Sequence, residues 1–288
     1  MLTPISESAR ALRKSVRHPG NAGLYALIQL VVEALKRRSG LINFVGHTFY
    51  VRSLDQRSVV VDLGANAGLF ACALATDLRL TCYALEAIML IFRRIPNVHG
   101  VKKYNLAISN RNGPIQLFVS ENPEANSIDH SIAASHGPTS IETCSGVTLQ
   151  QFLKNERIDR VDLLKVDIEG AEDLLFDSTS DYTLRRIYQI TIEFHDSIPG
   201  SISSDKVERI WRRLESLGFY CIPFSYMVPK AKNTDLLFIQ CDKCNVSLSE
   251  RAYFSALGAV LRLERTKSTL RSKLKFKAAE QLVTPPAS

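Results

Sequence analysis

Residues 59–68 read Val59-Val60-Val61-Asp62-Leu63-Gly64-Ala65-Asn66-Ala67-Gly68. A short run of β-branched residues predicts a buried strand, and the apolar segment that follows Gly68 has the length of a helix. Between them lies a turn bracketed by two glycines and preceded by an acid. In an open α/β sheet, ligands bind outside the carboxyl ends of the strands, where the strand order reverses, and this turn stands at such an end. Gly64 and Gly68 are expected to let the backbone approach a ligand where a Cβ would obstruct it. The plain alternative is a packing turn in which Asp62 caps the helix.

Outward from this turn, short apolar segments alternate with helical ones, the pattern of a mostly parallel sheet. Strands are expected at 58–63, 80–85, 101–108, 161–166 and 188–194, with a closing pair at 219–222 and 236–240. Helices are expected at 68–76, 88–95, 149–155, 171–176 and 205–217. The expected fold class is therefore α/β, a doubly wound, mostly parallel sheet flanked by helices. Before it, apolar residues at 24, 27, 28, 31, 32 and 35 predict an amphipathic helix over 22–38, and 41–52 reads as a hairpin turned near Gly46. The polar interval 121–146 reads as a long substrate loop, with His130 as its candidate substrate contact.

Glu86 follows Asp62 by 24 residues, at the end of the second expected strand. An acid there can accept both hydroxyl protons of a ribose, so an adenosine-type ligand is implied. A dinucleotide site shows G-x-G-x-x-G around a pyrophosphate, whereas Gly64 and Gly68 give only G-x-x-x-G. Asp62 would repel a pyrophosphate but can receive the ammonium of a methionine moiety, directly or through water. Asp62, Gly64, Asn66, Gly68 and Glu86 are thus the expected cofactor set, and S-adenosyl-L-methionine the expected cofactor.

A second polar cluster is expected at the same end of the sheet. In the run 161–172, alternation puts Lys165 and Asp167 on one face, while Thr191, Glu193 and His195 share a parity in a later strand. If the two strands are neighbours, these groups converge, with Lys165 and Glu193 as a structural ion pair. His195 leads as general base, with Asp167 and Glu169 behind it. A second reading of Asp167, Glu169 and His195 is a Mg²⁺ site; the first reading assigns no metal.

The runs DLGANAG, LLKVDIEGAE and ITIEFHD together resemble the FkbM-type methyltransferases, a branch of the class I S-adenosylmethionine-dependent enzymes, over about residues 58–240. The resemblance implies a class I methyltransferase-like fold and O-methyl transfer, often to natural products or sugars. Two positions depart from the family pattern. Ala87 follows Glu86 where a proline is common, and Asn110 stands where an aspartate is common, which bears on the adenine contacts.

The chain has 288 residues, enough for one large core with terminal additions. A basic extension at 1–57, a methyltransferase domain at 58–245 and a basic tail at 246–288 are expected. Basic residues outnumber acidic ones nine to three in the first segment and eight to three in the last, while the core has 19 against 23. A mildly acidic core argues against a nucleic-acid substrate; a small-molecule or glycan acceptor, methylated on a hydroxyl, is what the family resemblance implies. Lys267, Arg271, Lys273, Lys275 and Lys277 in the tail suit weak contact with an anionic membrane surface, or simple solvation. No secretory or membrane-spanning pattern is read, so a cytoplasmic protein is expected. The six cysteines show no disulfide framework, and Cys241 and Cys244 form a lone CxxC without a second ligand pair. An NAD-dependent oxidoreductase and a nonenzymatic binding module stand as alternatives.

Overall fold

The computed structural model describes residues 22–120, 139–196, 202–224 and 234–261. The basic residues before 22, the loop residues Ser127, His130 and His136, and the basic tail beyond 261 lie outside them. The first helix, α1, runs Ala22–Ser39. Strands β1 (Leu41–Phe44) and β2 (His47–Tyr50) form the expected antiparallel hairpin, with Val45 and Gly46 at positive φ in the turn. All four residues of β2 are buried. Its backbone is met by a fully buried side chain, because Tyr50 N–H donates to Gln189 Oε1 at 2.8 Å and Gln189 Nε2 donates to Tyr50 O at 3.0 Å. Tyr50 N–H is thereby satisfied, and Tyr50 O gains a second donor beside the Ser53 hydroxyl at 3.3 Å, which ties the hairpin to the core.

The core alternates as expected: β3 (Val59–Leu63), α2 (Leu69–Asp77), β4 (Thr81–Leu85), α3 (Met89–Phe92), β5 (Val101–Tyr104), β6 (Ala107–Ile108), β7 (Gly113–Ser120), β8 (Thr139–Val147) and α4 (Leu149–Asn155). It continues with β9 (Leu163–Val166), α5 (Glu172–Ser178), α6 (Asp181–Leu184), β10 (Gln189–Phe194), α7 (Ser204–Ser216), β11 (Tyr220–Pro223) and β12 (Thr234–Ile239). A last helix, α8, covers residues 248–261. Seven strands make one sheet in the order β11-β12-β10-β9-β3-β4-β5. Only β12 runs opposite to the other six strands, so its pairings with β10 and β11 are antiparallel and all the rest parallel. The order reverses between β3 and β9, so the turn after β3 sits at the switch point.

The sheet is buried on both faces, as β-branched runs such as 59–61 require. One core gathers Val61, Leu63, Leu164, Val166, Phe176, Phe194 and Leu214 with α4, α5 and α7; the other gathers Phe49, Val60, Phe70, Leu74 and Cys82 around α2. At the β11–β12 end, Ile222, Leu237 and Ile239 pack with Phe254, Leu257 and Leu261 of α8. Each such side chain, fully buried, contributes about 1.5–3 kcal/mol relative to exposure.

Two expectations are corrected. The strand expected at 101–108 is two: β5 lies in the main sheet, and β6 joins a separate sheet ordered β6-β8-β7. Asn105 makes the break, because its Nδ2 donates to Glu86 O at 3.0 Å and Ala87 O at 2.8 Å. The interval 121–146 is not loop throughout, since Thr139–Val147 is a strand paired with Gly113–Ser120. Its Ser140, Ile141, Glu142 and Thr143 are exposed, so the hydropathy pattern of a buried strand is missing while the ladder satisfies the backbone. No helix among the described residues is long and apolar enough to cross a membrane.

Candidate active site

The turn after β3 is held from below. Gly64 and Ala65 both donate to Leu85 O, at 3.1 and 2.9 Å, so the first two strand ends share one carbonyl. Gly64 has φ +73°, and a Cβ built on it would stand 1.8 Å from Asp167 O. On Gly68 a Cβ would stand 2.7 Å from Ile95 Cγ2. What these glycines make room for is the protein itself, the close approach of the β3 and β9 loops above all, where ligand approach was expected.

Glu86 is buried and oriented by two amides. Asn66 N–H donates to Oε2 and Ile88 N–H to Oε1, each at 2.9 Å. Burial raises its pKa, with those two amides opposing. Each carboxylate oxygen keeps a lone pair beyond the amide it accepts. Asn66 enters the site through its backbone, with φ +49°.

Asp62 is fully buried, directly opposite Lys165 in the β3–β9 register. Lys165 Nζ stands 3.1 Å from Asp62 Oδ1 and 3.5 Å from Asp167 Oδ2, and donates to Gly64 O at 2.8 Å. The ion pair expected between Lys165 and Glu193 is thus replaced, because β3 supplies Asp62 across from the lysine while Glu193 faces Asp235 of β12. Burial opposes the charge on Lys165, but Asp62 and Asp167 outweigh it and its pKa is raised.

Strands β9 and β10 are neighbours, and their ends do bring Asp167, Glu169 and His195 together. His195 is buried; its Nε2 stands 3.1 Å from Glu169 Oε2 and 3.8 Å from Asp167 Oδ1. Its Nδ1 stands 2.8 Å from Oε1 of Glu172, a fully buried carboxylate whose Oε1 also accepts from Gly170 N–H. Burial disfavours the imidazolium, yet the bonds to Glu169 and Glu172 prevail and lift its pKa to about 11. Glu169 is raised by burial. Burial pushes Asp167 the same way, but Lys165 and His47 override it and hold the carboxyl well below the usual range.

Two site residues escaped the sequence reading. His47, on β2, places Nε2 at 3.5 Å from Asp167 Oδ2 and packs edge-on to Phe70. Nothing in a hairpin 120 residues upstream signals that contact; the long-range Gln189 clamp, the bonds of Tyr50 and Arg52 to Glu250 and the packing of Phe49 on Phe70 deliver it. Glu172 was legible as part of the quoted run but was assigned no role. A cavity of about 670 Å³ opens among Ser109, Asn110, Arg111, Gln116, Thr143 and Leu174, a lining that includes none of the site residues above.

A doubly wound sheet of this order, with one antiparallel strand and an acid-and-glycine turn at its switch point, is the class I methyltransferase fold. Residues 62–221 match the family model described as Methyltransferase FkbM domain, and the chain belongs to that family. The oxidoreductase alternative falls with this assignment. A comparison with curated proteins gives no match. Among solved structures, precorrin-6y C5,15-methyltransferase from Geobacter metallireducens GS-15 is 9% identical with a TM-score of 0.36, covering 74% of this chain and 87% of that one. Magnesium protoporphyrin IX methyltransferase (ChlM) from Synechocystis PCC 6803, with bound SAM, is 8% identical with a TM-score of 0.38, covering 80% and 83%. TrmK from M. capricolum, in complex with S-adenosyl-homocysteine, is 12% identical with a TM-score of 0.36, covering 72% and 67%.

Proposed function

We propose that this methyltransferase uses S-adenosyl-L-methionine to methylate a hydroxyl of a small molecule or glycan. The observation that carries the cofactor is Glu86: a buried acid at a strand end, pinned by two amides beside the Gly64–Gly68 turn. That donor set fits a ribose, since two fixed carboxylate oxygens can each accept one hydroxyl proton. Asp62, fully buried, serves the turn indirectly where direct contact with a methionine ammonium was expected: it pairs with Lys165, whose Nζ donates to Gly64 O.

S-Adenosylmethionine, when bound, supplies a methyl group on a sulfonium, ready for in-line displacement. The chain's own residues position the acceptor and take its proton. Positioning supplies much of the acceleration in such a displacement, and a base within reach adds roughly 10²–10⁴-fold. His195, Asp167 and Glu169 are the groups for this. Both nitrogens of His195 face carboxylates, so the proton goes most readily to Glu169, with His195 as its charged partner.

The test is S-adenosylhomocysteine release with panels of hydroxylated small molecules, oligosaccharides and matched amines. Turnover on a hydroxyl panel supports the reading; turnover on amines alone overturns the O-methyl assignment. Cofactor binding without turnover on any panel favours the nonenzymatic module.

A further inference from the structure

We propose that Asp167, Glu169 and His195 form a divalent-cation site of the Mg²⁺ or Mn²⁺ type, with Glu172 and His47 as the groups that orient its ligands. One ligand atom from each of the three residues lies within 4.8 Å of the others. Around an ion bound at about 2.1 Å, ligands at right angles stand about 3.0 Å apart and opposed ligands about 4.2 Å apart. The separations of His195 Nε2 from Glu169 Oε2, 3.1 Å, and from Asp167 Oδ1, 3.8 Å, fall in that interval.

Two of the three ligands are also supported from behind. Glu172 Oε1 holds His195 at Nδ1, which leaves Nε2 as the nitrogen turned toward the two carboxylates, and a cation bound there takes the place of the Nε2 proton, which is released to solvent. A carboxylate behind a ligating imidazole is the usual device for fixing its tautomer and raising its basicity. Asp167 divides its oxygens: Oδ2 faces His47 and Lys165, each at 3.5 Å, while Oδ1 faces His195.

Charge gives an independent reason. Asp62, Asp167, Glu169 and Glu172 gather around one lysine, Lys165, and two histidines. Glu172 is fully buried and, among the described residues, its Oε2 has no hydrogen-bond partner, while Lys165 is shared between Asp62 and Asp167. A buried surplus of carboxylate is costly unless a cation compensates it. Two carboxylates and one imidazole suit a hard cation, and the nitrogen favours Mn²⁺ over Mg²⁺. In the methyltransferase reading above, on which this last step rests, the cation would hold the acceptor hydroxyl and ease loss of its proton.

The test is titration of the full chain with Mn²⁺, without cofactor, followed by the electron paramagnetic resonance signal of free Mn²⁺. One ion per chain is expected. Glu169→Gln and His195→Ala should each weaken binding at least tenfold, and Glu172→Gln about 10–100-fold, as loss of an orienting partner does. S-Adenosylhomocysteine affinity, set by Glu86 and the β3 turn, is the control for folding and should hold within twofold in Glu169→Gln. No stoichiometric Mn²⁺ in the wild type, or equal affinity in all variants, overturns the site. Mn²⁺ bound by a chain that ignores S-adenosylmethionine would sink the cofactor reading and leave the cation site standing.

Discussion

Gly64→Ala tests how the two halves of the site are joined. The added Cβ would stand 1.8 Å from Asp167 O. The closest ordinary carbon–oxygen approach is about 3.3 Å, so one loop must retreat by about 1.5 Å. Over-packing of this kind costs about 1–3 kcal/mol, and an L-residue at φ +73° adds about 1–2 kcal/mol. The sum is about 2–5 kcal/mol, against a stability of about 5–15 kcal/mol for a typical domain. Gly46→Ala is the control, because Gly46 has φ +83° and nothing within 4 Å of its Cβ position. It should show only the backbone part, about 1–2 kcal/mol. Urea unfolding of both variants against the wild type gives the comparison. If Gly64→Ala falls within 0.5 kcal/mol of Gly46→Ala, about the spread of mutational additivity, the close approach of the β3 and β9 loops is not what the glycine serves.

Other outcomes follow from the same geometry. Glu86→Ala removes two charge-assisted ribose contacts of about 1.5–3 kcal/mol each, so S-adenosylhomocysteine affinity should fall at least tenfold by calorimetry; unchanged affinity in a folded variant rejects the assignment. His195→Ala should spare cofactor affinity and slow transfer at least tenfold, and full turnover would take His195 out of the chemistry. Gln189→Ala strands Tyr50 N–H, while Tyr50 O keeps the Ser53 hydroxyl; at about 1–3 kcal/mol for one stranded group, the unfolding free energy should fall by about that much, and a fall under about 0.5 kcal/mol would show that the clamp is dispensable. Burial works against the charge on Glu250, but bonds from Ser247, Arg52 and Tyr50 prevail and bring its pKa down from 4.5 to about 2. Because the folded value is depressed, its stabilisation is full above about pH 4.5 and is lost as pH falls toward 2. Glu250→Gln should therefore lower stability at pH 7 and flatten its decline across that window, and an unchanged acid profile would contradict this.

The main sheet was legible because its strands announce themselves twice, by β-branched runs such as 59–61 and by the acids and glycines at their ends. Asp62, Glu86, Asp167 and His195 all fall at carboxyl ends of parallel strands, so parity and strand order brought them to one edge. What sequence could not supply was lateral register. Lys165 is an equally good partner for Glu193 or Asp62 by parity, and only the β3–β9 pairing selects Asp62. The β7–β8 pairing was missed for a different reason: in Ser140-Ile141-Glu142-Thr143 every residue is exposed and the one apolar side chain, Ile141, sets no alternation. His47 was beyond reach because long-range contacts, Gln189 on Tyr50 among them, place it.

The measurement that bears most directly on the central claim is calorimetric titration of the purified chain with S-adenosylmethionine, S-adenosylhomocysteine and NAD in parallel, repeated on Glu86→Ala. Saturable binding of the first two, lost or weakened at least tenfold in the variant, with no binding of NAD, is the predicted result. Binding of NAD alone, or S-adenosylmethionine binding indifferent to Glu86, would contradict the account of the site.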